Sequence, residues 1–132
     1  MKYLLDTHAV LWVIGASNLL SKKVTDIIEN PDNQIYASSV SFWEIAIKYR
    51  LGKLRLSGFR PSQIPDLLIR SNIELIEINP EDASTYSELK DTDHKDPFDR
   101  MLICQAIRRK LNLITKNKQL KKYHDLDLKT IW

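Results

Sequence analysis

The feature that most limits how this chain can fold is a series of five short apolar runs. They are KYLLD (2–6), QIYAS (34–38), IELIEI (73–78), LNLIT (111–115) and LKTIW (128–132). Each has the length of a strand, and the spacing predicts helices between them. AVLWVIG (9–15) closes on Gly15. SKKVTDIIEN (21–30) opens on Ser21 as a cap, sets Val24, Ile27 and Ile28 on one face, and is broken by PDN. SVSFWEIAIKYRLGK (39–53) is a long helix ending near Gly52, and LRLSGFRPS (54–62) a loop or small hairpin. SQIPDLLIRSN (62–72), PEDASTYSEL (80–89), DPFDRMLICQAIRRK (96–110) and NKQLKKY (117–123) complete the helices. Short apolar strands alternating with helices predict an α/β fold with a parallel sheet covered on both faces.

No linker-like shift in composition interrupts this order, so residues 1–132 are expected to form a single domain. The apolar fraction of 43% is enough for a core without disulfide staples. The single cysteine, Cys104 in MLICQAI, reads as a small buried hydrophobe, and one thiol fits a reducing, cytoplasmic setting. Lys2 before an apolar run faintly suggests a leader, but Asp6 and His8 interrupt it and no cleavage site follows. No membrane span is expected. The net charge is +3 and unevenly placed: Arg100 to Tyr123 holds eight Lys or Arg and no acid. Such a strip is either a solvated face or a surface for a polyanion.

The acids carry more information. In open parallel sheets, ligands bind beyond the carboxyl ends of the strands. Asp6 closes the first strand, Glu44 lies on the helix after the second, and Asn117 follows the fourth. HKDPFDR (94–100) adds Asp96 and Asp99 at a helix start, where Asp96 is a good N-cap, Pro97 suits the first turn and Asp99 faces the helix dipole. Glu44 sits in FWEIAIKY, apolar nearly all round, so its carboxylate needs a partner: a Lys or Arg, or a cation. Asp6 has the same problem, or caps the helix beginning near Thr7. Acids gathered together repel, and a divalent cation removes the conflict. Hard oxygen donors point to Mg²⁺ or Mn²⁺ rather than zinc. With a basic strip nearby, the combination suggests a nuclease.

These residues resemble a known family. LLDTHAVLW, SSVSFWEIAIKYRLGKL, HKDPFDRMLICQA and the terminal LKTIW are similar, over the whole length, to PIN-domain ribonucleases, and specifically to VapC-like toxins of type II toxin–antitoxin pairs. The resemblance implies a three-layer α/β/α sandwich. Carried across, the metal ligands fall on Asp6, Glu44 and Asp99, with Asp96 a further catalytic acid, the helix cap, or both. Many members carry an Asp in a T-x-D pattern where this chain has Asn117 after Thr115. Asn117 can offer a carbonyl oxygen to metal or water but no charge, which weakens the case for a second ion. The expected chemistry is cleavage of single-stranded RNA by in-line attack of a metal-activated water, leaving a 5′-phosphate. Arg100, Lys116, Lys118 and Lys121 are the candidate RNA contacts. The expected partners are an antitoxin and a second copy of the chain, with Trp12, Phe42 and Trp43 as candidate contact or core residues.

The alternative is a catalytically weakened PIN-like module that acts by binding RNA or antitoxin, which Asn117 supports. An Asp-based phosphatase would want a second acid where His8 stands, and a receiver domain would want paired acids near its first strand. His8, His94 and His124 lack metal-ligand spacing, although His94 could meet the Asp cluster or bond its neighbours.

Overall fold

A computed structural model describes residues 1–90 and 95–132, without the side chain of Asp125. The five runs form one sheet of β1 (Lys2–Leu5), β2 (Gln34–Ser38), β3 (Glu74–Ile76), β4 (Asn112–Ile114) and β5 (Thr130–Ile131). All pairings are parallel and the spatial order is β3-β2-β1-β4-β5. Tyr3 stands beside Ile35 on one side and Asn112 on the other. The helices are α1 (Thr7–Gly15), α2 (Lys22–Glu29), α3 (Ser39–Arg50), α4 (Ile64–Arg70), α5 (Pro80–Thr85) and α6 (Pro97–Arg109).

Past exposed Lys2, β1 is buried on both sides because both faces of the sheet are covered. Tyr3 and Leu5 belong to a core with Val10, Val24, Ile45, Ile64 and Leu68, drawn from α1–α4. Leu4, between them, belongs to the opposite core with Leu102, Ile103, Leu113, Tyr123 and Leu128. This is the three-layer sandwich that the resemblance implies. Cys104 is buried, and burial pushes its thiol up, away from reactivity.

The differences from expectation lie at element ends. The helix expected over 9–15 starts at Thr7, because Asp6 caps it. The stretch 54–62 forms no hairpin. Pro61–Gln63 is a 3₁₀ turn ahead of α4, and α5 tightens into another over Tyr86–Glu88. The stretch expected as a helix over 117–123 is 3₁₀ over Lys118–Leu126, capped by Asn117 and ended by Asp127 at φ 67°. α3 stops at Arg50, just before Gly52 takes φ 73°, a conformation glycine adopts without strain.

One ion-pair cluster holds α5 against α6. Asp82 is almost fully buried and accepts bonds from Arg109 at 2.6 Å, Gln105 at 3.1 Å and the Asn79 N–H at 3.2 Å. Arg108 bonds Glu81 at 2.8 Å. Burial alone would raise the Asp82 carboxyl, but these donors outweigh it and hold the group below its ordinary range. Asp82→Ala would leave Arg109 and Gln105 without their partner and lower stability by about 3–5 kcal/mol in urea denaturation. Because the folded value is depressed, the stability from Asp82 is present above the ordinary value of 3.8 and is lost as pH falls through the lower folded value. The wild-type advantage over the variant should therefore shrink on acidification.

Candidate active site

The sheet order reverses at β1: the chain moves outward to β2 and β3, then returns to lay β4 on the other side of β1. Such a switch point leaves a crevice beyond the carboxyl ends of the two strands. Asp6 follows β1, and Thr115 to Asn117 follow β4. The Asp6 N–H donates to the Ile114 carbonyl at 3.0 Å, which ties the two ends together. A pocket of about 350 Å³ opens there. Its walls carry Asp6, Glu44, Asp96 and Asp99, with Asn117, Lys48 and Lys116 among them and Thr7, His8 and Trp12 beside them. Four acids drawn from three distant parts of the sequence thus line one cavity.

Each acid has a local reason for its place. Asp6 is extended, and its Oδ1 accepts the Ala9 N–H at 2.8 Å, capping α1. Burial raises the Asp6 carboxyl and the charge of Glu44 raises it further, against lowering contributions from Thr115, Ala9 and His8. Glu44 is buried on α3. Its Oε1 accepts the Thr7 hydroxyl at 2.6 Å, and Ser41 Oγ lies 3.1 Å from Thr7 Oγ1. Its Oε2 is ion-paired to Lys48, one turn further along the same helix. The bond to Glu44 raises the Lys48 ammonium; burial opposes this, and the charges of Glu44, Asp96 and Asp99 add to it.

Asp96 Oδ1 accepts the N–H groups of Phe98 (2.9 Å) and Asp99 (3.2 Å), so it is the N-cap of α6 while lining the pocket. Phe98 meets Trp43 edge to face, ring centres 5.5 Å apart. Each ring precedes a pocket acid in the chain, so this contact sets α3 and α6, and with them Glu44 and Asp99, in a fixed relation. His94 lies outside the described residues.

Asn117 reaches the pocket, but its Oδ1 accepts the Gln119 N–H at 3.0 Å as a cap. Lys116 lies over the Trp12 ring at 5.8 Å, and Trp12 packs on Trp132. Lys118 and Lys121 are exposed and outside the pocket wall. Arg100 is not brought to the pocket: it lies over the Tyr86 ring at 5.4 Å and donates to the Leu89 carbonyl at 3.3 Å. Of the three aromatic candidates, Phe42 is half-buried against the core, Trp12 lines the pocket and Trp43 is 60% exposed.

The sequence model of the PIN domain matches residues 3–126. The chain belongs to the PIN domain family. Its curated relatives include Ribonuclease VapC22 of Mycobacterium tuberculosis, 26% identical over 129 residues, with 98% of this PIN domain and 97% of the relative covered. Its fold is similar to VapBC-1 of nontypeable Haemophilus influenzae and to a DNA-bound VapBC of Salmonella typhimurium. Each has a TM-score of 0.65 and 18% identity and covers 99% of this chain and 97% of the other. A DNA-bound VapBC2 of Rickettsia felis gives 0.61 at 20% identity, covering 99% and 98%.

The donor set of the PIN domain's pocket is of the type that suits Mg²⁺ or Mn²⁺: carboxylate oxygens and one amide carbonyl. Among the described residues, no three Asp, Glu, His or Cys groups are gathered tightly enough to hold an ion as they stand. Glu44 is drawn instead to Lys48, and Asp6 and Asp96 to the helices they cap. Thr7, Ser41 and Lys48 are the site residues that sequence reasoning did not name. Lys48 had a signal, since the i, i+4 spacing from Glu44 places the two on one helix face. Thr7 and Ser41 had none, because they meet only when α1 packs on α3.

A raised carboxyl is a stability statement. The fold disfavours the charged form of Asp6 relative to the unfolded chain, so the contribution of Asp6 is favourable below the ordinary value of 3.8 and is lost as pH rises through the elevated folded value. Asp6→Asn keeps a capping oxygen and carries no charge. The metal-free variant should melt higher than wild type at pH 7, with the gap narrowing toward pH 3.8 in thermal scans.

Proposed function

We propose that this PIN domain is a Mg²⁺- or Mn²⁺-dependent endoribonuclease of the VapC kind, cutting single-stranded RNA and silenced by a small antitoxin. The observation that carries this is the convergence of Asp6, Glu44, Asp96 and Asp99 on one pocket at the switch point of the sheet. The name of its relative VapC22, a ribonuclease, and the VapBC assemblies of its fold neighbours support the same reading. A homodimer is part of the proposal, and Trp43 is the most exposed of the candidate aromatic contacts. No helix among the described residues is long and apolar enough to cross a membrane.

Asp6, Glu44 and Asp99 would hold the cation, with Asn117 contributing its carbonyl oxygen directly or through water. When bound, such an ion supplies a Lewis acid for the phosphodiester and lowers the pKa of water. The chain's own groups do the rest. Thr7 holds Glu44 Oε1 in place from the protein side. Asp96 uses Oδ1 for its two cap bonds, which leaves Oδ2 to orient the attacking water. Lys116, on the pocket wall, meets the phosphate, and exposed Lys118 and Lys121 meet the strand beyond it. Water adds to phosphorus in line, the bond from phosphorus to the 3′-oxygen breaks, and the products are a 5′-phosphate and a 3′-hydroxyl.

The test is cleavage of a mixed-sequence RNA by purified, antitoxin-free protein with Mg²⁺, Mn²⁺ or EDTA. Cutting should need the metal and fall at least about 100-fold in Asp99→Asn, the scale of losing one preorganised electrostatic contact. A folded wild type that does not cut, together with an Asn117→Asp variant that does, would replace this proposal with the weakened, binding module. A wild type that cuts well excludes that module.

A further inference from the structure

The two oxygens of Glu44 are held differently. Oε1 faces inward and accepts the neutral Thr7 hydroxyl at 2.6 Å, itself backed by Ser41. Oε2 is paired with the ammonium of Lys48, whose side chain is 42% exposed while that of Glu44 is 5% exposed. One oxygen is therefore fixed by the fold and the other is neutralised by a cation on a flexible stem that reaches solvent. Lys48 also lines the pocket, where the charges of Asp96 and Asp99 act on it.

We propose that Lys48 is the resident counter-ion of the metal seat: it occupies Glu44 Oε2 in the metal-free protein and must be displaced for a divalent cation to bind. This rests on the metal-nuclease reading above. A buried carboxylate without a cation is costly, so an empty seat would destabilise the domain before any metal arrived. A lysine four residues along the same helix answers that cost, since its position on α3 keeps it always within reach. The same tether makes it a standing competitor at high effective concentration. Lysine suits a partner that must leave. Its ammonium makes a point contact rather than a two-pronged one, and its stem can swing into water. Once displaced it remains on the pocket wall, next to where an RNA phosphate would enter.

The experiment is Mn²⁺ titration by calorimetry on the full chain, wild type beside Lys48→Met, with metal-free melting curves for both. Methionine keeps a stem of similar length and removes the charge. Lys48→Met should melt several degrees lower than wild type without metal. It should bind Mn²⁺ about ten-fold more tightly, equivalent to about 1.4 kcal/mol. Wild type that binds Mn²⁺ while Lys48→Met binds it equally or more weakly overturns the role of Lys48 and leaves the metal reading standing. Failure of both proteins to bind Mn²⁺ overturns the two together. Should Lys48→Met be unfolded without metal, added Mn²⁺ must restore a cooperative melt by taking the place of the ammonium; failure to do so also overturns the role of Lys48.

Discussion

A carboxylate buried at the end of a parallel sheet is the constraint around which this domain is organised. Asp6 and Glu44 are both buried, and each charge acts against the other. Neither could stay there alone. Asp6 is held by the first turn of α1 and by Thr115, and Glu44 by Thr7 and Lys48. These arrangements offset the cost of burying the charges without removing it, as the Asp6 carboxyl records: it is elevated mainly by burial and only then by the charge of Glu44. The surplus cost is offset by the two apolar cores, which bury Leu4, Leu5, Ile45, Leu102 and Leu113 almost completely. A burial of that kind is worth about 1.5–3 kcal/mol per large side chain. The switch-point pocket is therefore a locally unfavourable region carried by the stability of the layers on both sides.

α6 shows how one helix serves both needs. Its N-terminus brings Asp96 and Asp99 to the pocket, and capping by Asp96 makes that end rigid. Its middle packs Leu102, Ile103 and Ala106 on the sheet. Its far end is held by Gln105 and Arg109 on buried Asp82. A carboxylate that must be placed to within a fraction of an ångström gains from anchoring at both ends of the helix that bears it. The Asp82 cluster, which grips the far end of the helix that carries Asp99, is in this sense a support of the site.

How much of this could be read in the sequence depended on the range of the interaction. Strand order of appearance, the capping roles of Asp6, Ser21 and Asp96, and the need of Glu44 for a partner were all legible, because each follows from a few neighbouring residues. The strands shortened at β3 and β5 where flanking caps and turns ended the extended backbone, a competition that apolar pattern alone does not register. The basic strip was legible only in part, for a different reason. Arg108 and Arg109 are bound to acids of α5, and Arg100 to Tyr86 and Leu89, contacts created by packing between segments far apart in the chain. Asn117, just past a strand end, was legible as a pocket residue because the switch-point rule depends on the sheet and not on side-chain packing.

Charge balance in the pocket bears on how many cations the proposed nuclease would use at once. Among the described residues, four carboxylates face two ammonium groups, Lys48 and Lys116. With all four acids ionised, two negative charges remain, which one divalent cation neutralises and a second would overshoot. An aspartate at position 117 would add one of the two further charges a second ion needs, but the side chain there is an uncharged amide already engaged as a helix cap. Lysine at 48 and asparagine at 117 act in the same direction, each lowering the negative potential that a second ion would need. On the proposed reading, a pocket so balanced would take a single ion at Asp6, Glu44 and Asp99, with the lysines left to face the phosphate.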